Sequence, residues 1–196
     1  MAERQLTADD WRGYAHGQFP QGPWSSDGDL LHAAASAARV DLVTREVFRD
    51  FVLAFEWRLP RAGSSAVLYR VNEDAGPAAQ SGPAMQLLDD ERHPDGAHAL
   101  TSCGALYGLM APWHELRSSA NTYHGARLVV NGTLIEYWID DTQVLGCDLA
   151  GEELRERIAR SHFRDYPRFA REREGRIVLQ HRGTEAWFRR IRIETL

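Results

Sequence analysis

The amino-acid sequence predicts an all-β protein, a sandwich or jelly roll with one or two short helices, and three observations carry that prediction. Apolar residues recur with period two in many short segments. Helical periodicity is confined to two brief stretches. One longer run, Asp50-Phe51-Val52-Leu53-Ala54-Phe55-Glu56-Trp57-Arg58-Leu59, puts Phe51, Leu53, Phe55 and Trp57 on one side and Glu56 and Arg58 on the other. Short strands with so few helices bury their apolar faces against one another as packed layers.

Taken in order, residues 8–11 follow Thr7, a hydroxyl suited to capping, and make one helical turn. Strands are expected at 30–32, 40–44, 50–59, 65–71 and 84–88. The acidic, turn-rich stretch 72–96 reads as loops around the last of these. Strands at 126–131 and 133–140 flank Asn131-Gly132, a dipeptide suited to a type I′ hairpin. Gly151 precedes a short helix over 152–161, and strands at 176–182 and 186–194 close the chain. Most tryptophans, Trp138 among them, are expected in the core.

With 196 residues, 43% hydrophobic and 26% charged, the chain suits one domain, 1–196, around one core. A net charge of -5 argues against nucleic acid and anionic membranes as partners. The start, Met1-Ala2-Glu3-Arg4-Gln5, lacks the apolar run of an export signal, and no segment approaches the ~20 apolar residues of a membrane span. A soluble cytoplasmic protein is expected, with Cys103 and Cys147 as free, buried thiols.

The blocks Phe55-Glu56-Trp57-Arg58-Leu59-Pro60, Gly63-Ser64-Ser65-Ala66-Val67-Leu68-Tyr69-Arg70 and Met85-Gln86-Leu87-Leu88-Asp89-Asp90 are followed by Gly104-Ala105-Leu106-Tyr107, Ala111-Pro112, Gly175-Arg176-Ile177-Val178-Leu179-Gln180 and Phe188-Arg189-Arg190-Ile191-Arg192-Ile193. In that order, over roughly residues 24–196, they resemble the 3-keto-disaccharide hydrolase domain family. The resemblance implies a concanavalin-like β-jelly roll of two curved antiparallel sheets, with a concave face that binds sugar. It departs from the family pattern at Ala84, where a glutamate is usual, at Ser64, at Tyr137, at Asp140-Asp141, and at His181, a histidine displaced by one position.

A 3-keto sugar has an acidified hydrogen at C2, so a base and an enolate stabiliser suffice to expel the C1 substituent before water adds back. His181, Asp89 and Glu56 are the candidate bases. Gln86, Arg58, Arg70, Tyr107, Trp113, His114 and Gln180 are the candidate sugar-binding residues, the arginines as readers of hydroxyls or of an enolate oxygen and the aromatics as stacking surfaces. Several have a plainer reading: a salt bridge between strands for Glu56, Arg58 and Arg70, a plug at the sandwich end for Tyr107, Trp113 and His114, a packed or exposed polar residue for His181. The loop from Asp89 to His98 is a solvated acidic loop, a source of a base, or a divalent-cation site, although its spacing matches no established metal motif. No cofactor is required and no metal ligands are assigned. Three functions fit: cleavage of 3-keto-glycosides, non-catalytic carbohydrate binding, and a divergent enzyme acting on another small glycosylated metabolite. In each the partner is a small sugar or glycoside. Oligomeric state is not legible.

Overall fold

The structure, a computed structural model, describes residues 3–36, 38–116 and 118–196. Among the described residues thirteen strands alternate with turns: β1 (Glu3–Gln5), β2 (Trp11–Gly13), β3 (Trp24–Asp27), β4 (Leu30–Ala33), β5 (Leu42–Thr44), β6 (Phe51–Arg58), β7 (Ser64–Val71), β8 (Ala84–Leu88), β9 (His124–Asn131), β10 (Leu134–Ile139), β11 (Thr142–Asp148), β12 (Arg176–Leu179) and β13 (Ala186–Thr195). One α-helix, α1 (Glu152–Ala159), follows β11. An eight-stranded sheet runs β11-β10-β9-β6-β13-β4-β3, with β1 added against β13, and a five-stranded sheet runs β2-β5-β12-β7-β8. The fold is the expected all-β sandwich of two antiparallel sheets.

The alternation in β6 does what its sequence predicts, since Phe51, Leu53, Phe55 and Trp57 are buried while the residues between them are only partly covered. In β7 every residue is buried. Its Val67 and Tyr69 join the core between the sheets, while Ala66 and Leu68 form a second cluster with Val43, Val178 and Ala78 on the sheet's outer face. Within the core, the Tyr69 and Tyr137 hydroxyls lie 3.0 Å apart, joining β7 of one sheet to β10 of the other. Tyr137 is therefore a core residue.

Several expectations need correcting. Trp138 is not core: it lies on the outer face of the large sheet, its ring 4.2 Å from the Arg127 guanidinium and its Nε1 donating to Glu136. Trp113 is 55% exposed. Cys103 is buried as expected, but Cys147 is half-buried; both are free thiols. The β9–β10 hairpin turns on Gly132-Thr133 with positive φ at Gly132 alone, which is the type II′ pattern, whereas Asp140 and Asp141 both take positive φ between β10 and β11, as type I′ requires. Asp140 is thus a turn residue, and its carboxylate accepts from His124 Nδ1 at 2.7 Å and Gly125 N–H at 2.9 Å. No helix among the described residues is long and apolar enough to cross a membrane.

Candidate active site

Where β12 ends at Leu179 the chain leaves the ladder, because the His181 N–H finds the Asp41 carboxylate, at 2.7 Å, in place of a strand carbonyl. Gln180, Arg182 and Thr184, from this departing segment, meet Ser64 at the start of β7 and Gln86 of β8 on the outer face of the small sheet. Together with Asp41, Arg39, His93 and His181, the residues Ser64, Gln180, Arg182 and Thr184 border a recess of about 450 Å³, and Gln86 lies behind them, fully buried.

Arg182 organises the recess. Its Nε donates to Gln180 Oε1 at 2.8 Å, its Nη2 to Gln86 Oε1 at 3.1 Å and its Nη1 to Ser64 Oγ at 3.4 Å, while its guanidinium lies 5.1 Å from the centre of the Tyr107 ring. All three acceptors are neutral. Burial holds the Arg182 pKa below the ordinary arginine value, against the smaller raising effects of Tyr107, Asp95 and Asp41. Gln86 is fully buried and its Nε2 donates to nothing among the described residues. An unmade hydrogen bond of this kind costs about 1–3 kcal/mol, so Gln86 keeps an unused donor in the packed layer behind Arg182.

Asp41 is the carboxylate of the recess. Burial pushes its pKa up to about 6, against the lowering effects of the His181 N–H and Arg182. Beside it, the His93 Nδ1 accepts the Asp95 N–H at 3.1 Å. That bond fixes the neutral tautomer with the proton on Nε2, a donor at the recess wall.

The structure brings some of the expected residues together and separates others. Gln86, Gln180 and Tyr107 meet at Arg182. His181 is adjacent, but the one-position displacement turns its ring inward, edge-on to Trp24, where Nε2 bonds the Ala34 carbonyl at 2.8 Å and Nδ1 accepts the Gly183 N–H at 3.2 Å. Both ring nitrogens are engaged. Asp89, 2% exposed, accepts the Ala62 N–H at 2.8 Å and so ties down the β6–β7 turn. Glu56 and Arg58 occupy the outer face of the other sheet, across the core from the recess. There Glu56 binds Arg189 and Arg190, at 2.7 and 2.8 Å, and Arg58 lies between Tyr123 and Trp187. Arg70, six residues along β7 from Ser64, is at the far end of the sandwich, bonded to the Gly132 and Arg49 carbonyls. Trp113 packs beside Gly146 of β11, and His114 borders a separate recess with Asp90, Glu91 and Leu116. The described residues contain no group of three or more histidine, cysteine or carboxylate side chains arranged to hold a metal.

Reading the sequence missed Asp41, Arg182 and Ser64. A signal for Asp41 was present in Val40-Asp41-Leu42-Val43, a lone carboxylate opening an apolar strand.

The two-layer antiparallel sandwich is an architecture seen in several solved structures. One from Parabacteroides distasonis, provisionally assigned as a glycosyl hydrolase, superposes with a TM-score of 0.87 at 17% identity, covering 97% of this chain and 90% of that one. The carbohydrate-binding module CBM66 of Bacillus subtilis gives 0.61 at 12% identity over 95% and 96% of the two chains. These likenesses concern the fold. Residues 5–194 match the 3-keto-alpha-glucoside-1,2-lyase-like domain, and the chain belongs to that family. A curated relative, the 3-keto-disaccharide hydrolase of Bacteroides thetaiotaomicron, is 24% identical over 97% of this chain and 76% of its own length.

Proposed function

We propose that this protein cleaves 3-keto-glycosides by elimination and rehydration in the recess around Arg182, acting on a small sugar with no required cofactor. Family membership supports the substrate class, and one observation carries the chemistry: a buried guanidinium hydrogen-bonded only to neutral groups stands in the same recess as a carboxyl of raised pKa. Asp41 takes the proton from C2. The electrons that held it form the C2–C3 double bond of an enolate, whose C3 oxygen is stabilised by Arg182. The enolate collapses back to the ketone, expels the C1 oxygen and leaves a C1–C2 double bond conjugated to it. The leaving oxygen, hydrogen-bonded by His93 Nε2–H, takes the proton that Asp41 now holds. Water then adds at C1 and loses a proton to Asp41, which delivers it to C2, and this yields the free 3-keto sugar and the released alcohol.

In this scheme Ser64 and Gln180 hold Arg182 in plane, and Tyr107 offers a ring face. The glutamate usual at position 84 is not needed, because Asp41 supplies a carboxylate from β5's leading edge. His181 and Asp89 act on placement, the first by giving its N–H to the base and the second by fixing the turn that leads to Ser64. The test is release of the leaving group from a 3-keto-glucoside beside the matched ordinary glucoside. Turnover of the keto substrate alone is expected. Equal turnover of both overturns the elimination route, and binding of sugars without turnover of either converts the reading to a carbohydrate-binding module.

A further inference from the structure

We propose a second ligand site at the opposite end of the sandwich, one that binds a small amphiphilic anion: a carboxylate or phosphate monoester on an aromatic or branched apolar body. A cavity of about 600 Å³ lies there between α1, the segment after it and the ends of β7 and the β9–β10 turn. Six residues of strand separate Ser64 from Arg70, roughly 20 Å at 3.3 Å per residue, so this cavity is distinct from the Arg182 recess.

Its lining has two characters. Leu149, Ile158, Phe163, Tyr166 and Phe169 make an apolar wall, with the Phe163 and Phe169 rings stacked at 4.1 Å. Around that wall stand Arg70, Arg155, Arg164, Arg171 and Arg173 against a single carboxylate, Glu172, which is already paired with Arg168 at 2.6 Å. In a chain of net charge -5, this is a local reversal of sign. Arg155, Arg171 and Arg173 have no carboxylate within ion-pair distance among the described residues.

Arg70 supplies the independent observation. It is 5% exposed, yet its Nε is buried without an acceptor and Asp50 approaches only to 3.5 Å. Its Nη2 is taken up by the Gly132 and Arg49 carbonyls, which bring no charge. A buried guanidinium so weakly compensated is an expensive feature to keep. An anion seated on the aromatic wall would neutralise it and draw in the flexible arginines at the rim. The ring of Tyr166 and the stacked phenylalanines suit a planar or branched apolar body, and the arginine forks suit a carboxylate or phosphate.

Isothermal titration of the whole protein with 2-naphthoate, 1-naphthyl phosphate and the uncharged naphthalene-2-methanol tests this. At least one anion should bind with a salt-sensitive affinity at least tenfold above that of the alcohol, and a preference between the two anions identifies the headgroup. Arg155→Gln combined with Arg171→Gln, both exposed and outside the core, should weaken the anion at least tenfold with an unchanged melting temperature. Gln86→Ala should leave it unaffected. Equal binding of the alcohol, no loss in the double variant, or loss in Gln86→Ala, which would put the probe in the Arg182 recess, each overturns the proposal. None of these readings depends on turnover of a keto sugar.

Discussion

The outer faces of the two sheets carry similar residues and use them in opposite ways. On the large sheet, burial raises the Glu56 carboxyl pKa, but hydrogen bonds and charge from Arg189 and Arg190 outweigh it and leave the group below the ordinary carboxylate range. Arg189 also lies 3.7 Å from the centre of the Tyr123 ring, Arg58 sits 4.0 Å from that of Trp187, and Trp187 stacks on His32 at 4.9 Å. Charge meets charge or a π-face throughout, with the Arg58 Nε alone left without an acceptor among the described residues of this network. On the small sheet the guanidinium of Arg182 meets amides and a hydroxyl, Gln86 keeps a free N–H, and Asp41 is held above its usual range. That network is open toward the recess. What separates a structural polar cluster from a reactive one here is whether its charges are already answered.

If that contrast is right, Asp41→Asn should lower kcat on a 3-keto-glucoside by roughly 10²–10⁴, the usual share of a general base, while Glu56→Gln leaves it within about twofold. A large loss from Glu56→Gln would reverse the assignment of the two faces. Arg182→Lys should cost about 10–100-fold in kcat/KM, because a point charge cannot reproduce the fork that holds Gln180, Gln86 and Ser64 together. Full activity in that variant would show the fork to be dispensable.

Both pH profiles follow from Asp41. As a base it works when ionised, so kcat/KM should rise with pH through about 6 and level off above it. Stability runs the other way. A carboxyl whose folded pKa exceeds its unfolded value of about 3.9 favours the folded state below that value, and the benefit is lost as pH climbs through about 6. Asp41→Asn should therefore be about 1–3 kcal/mol more stable than the parent at pH 8, with the difference fading near pH 4 in urea titrations. The smallest effect belongs to the large sheet's network. Glu56→Gln should destabilise by no more than about 1 kcal/mol, because partly solvated ion pairs contribute little.

The fold was legible because strand alternation records burial directly: β6 and β8 lie within two residues of their expected bounds. The missed strands β1, β2, β3 and β11 are edge or near-edge elements, with weak or mixed patterns. Gln86, Gln180 and Tyr107 were legible through the family resemblance. Asp41 was not, because its role depends on β5 lying beside β12, a pairing between residues over a hundred positions apart that no local pattern encodes. Glu56 and Arg58 share the face their alternation implied; which sheet that face belongs to is a matter of topology. Arg70 matched a family block, but its φ of 52° breaks the alternation of β7, so period two could not say where its side chain goes.

The paired hydroxyls of Tyr69 and Tyr137 bear on how the two layers behave mechanically. Oily surfaces alone would let one sheet creep over the other at little penalty, but two phenols sealed in hydrocarbon can satisfy each other only when they are in line. A slide of one strand residue, about 3.3 Å, would leave both hydroxyls dry and alone. The pair works as a dowel between the layers. Since Tyr69 shares its strand with Ser64, the same dowel keeps the floor of the recess from drifting relative to the sheet beneath it.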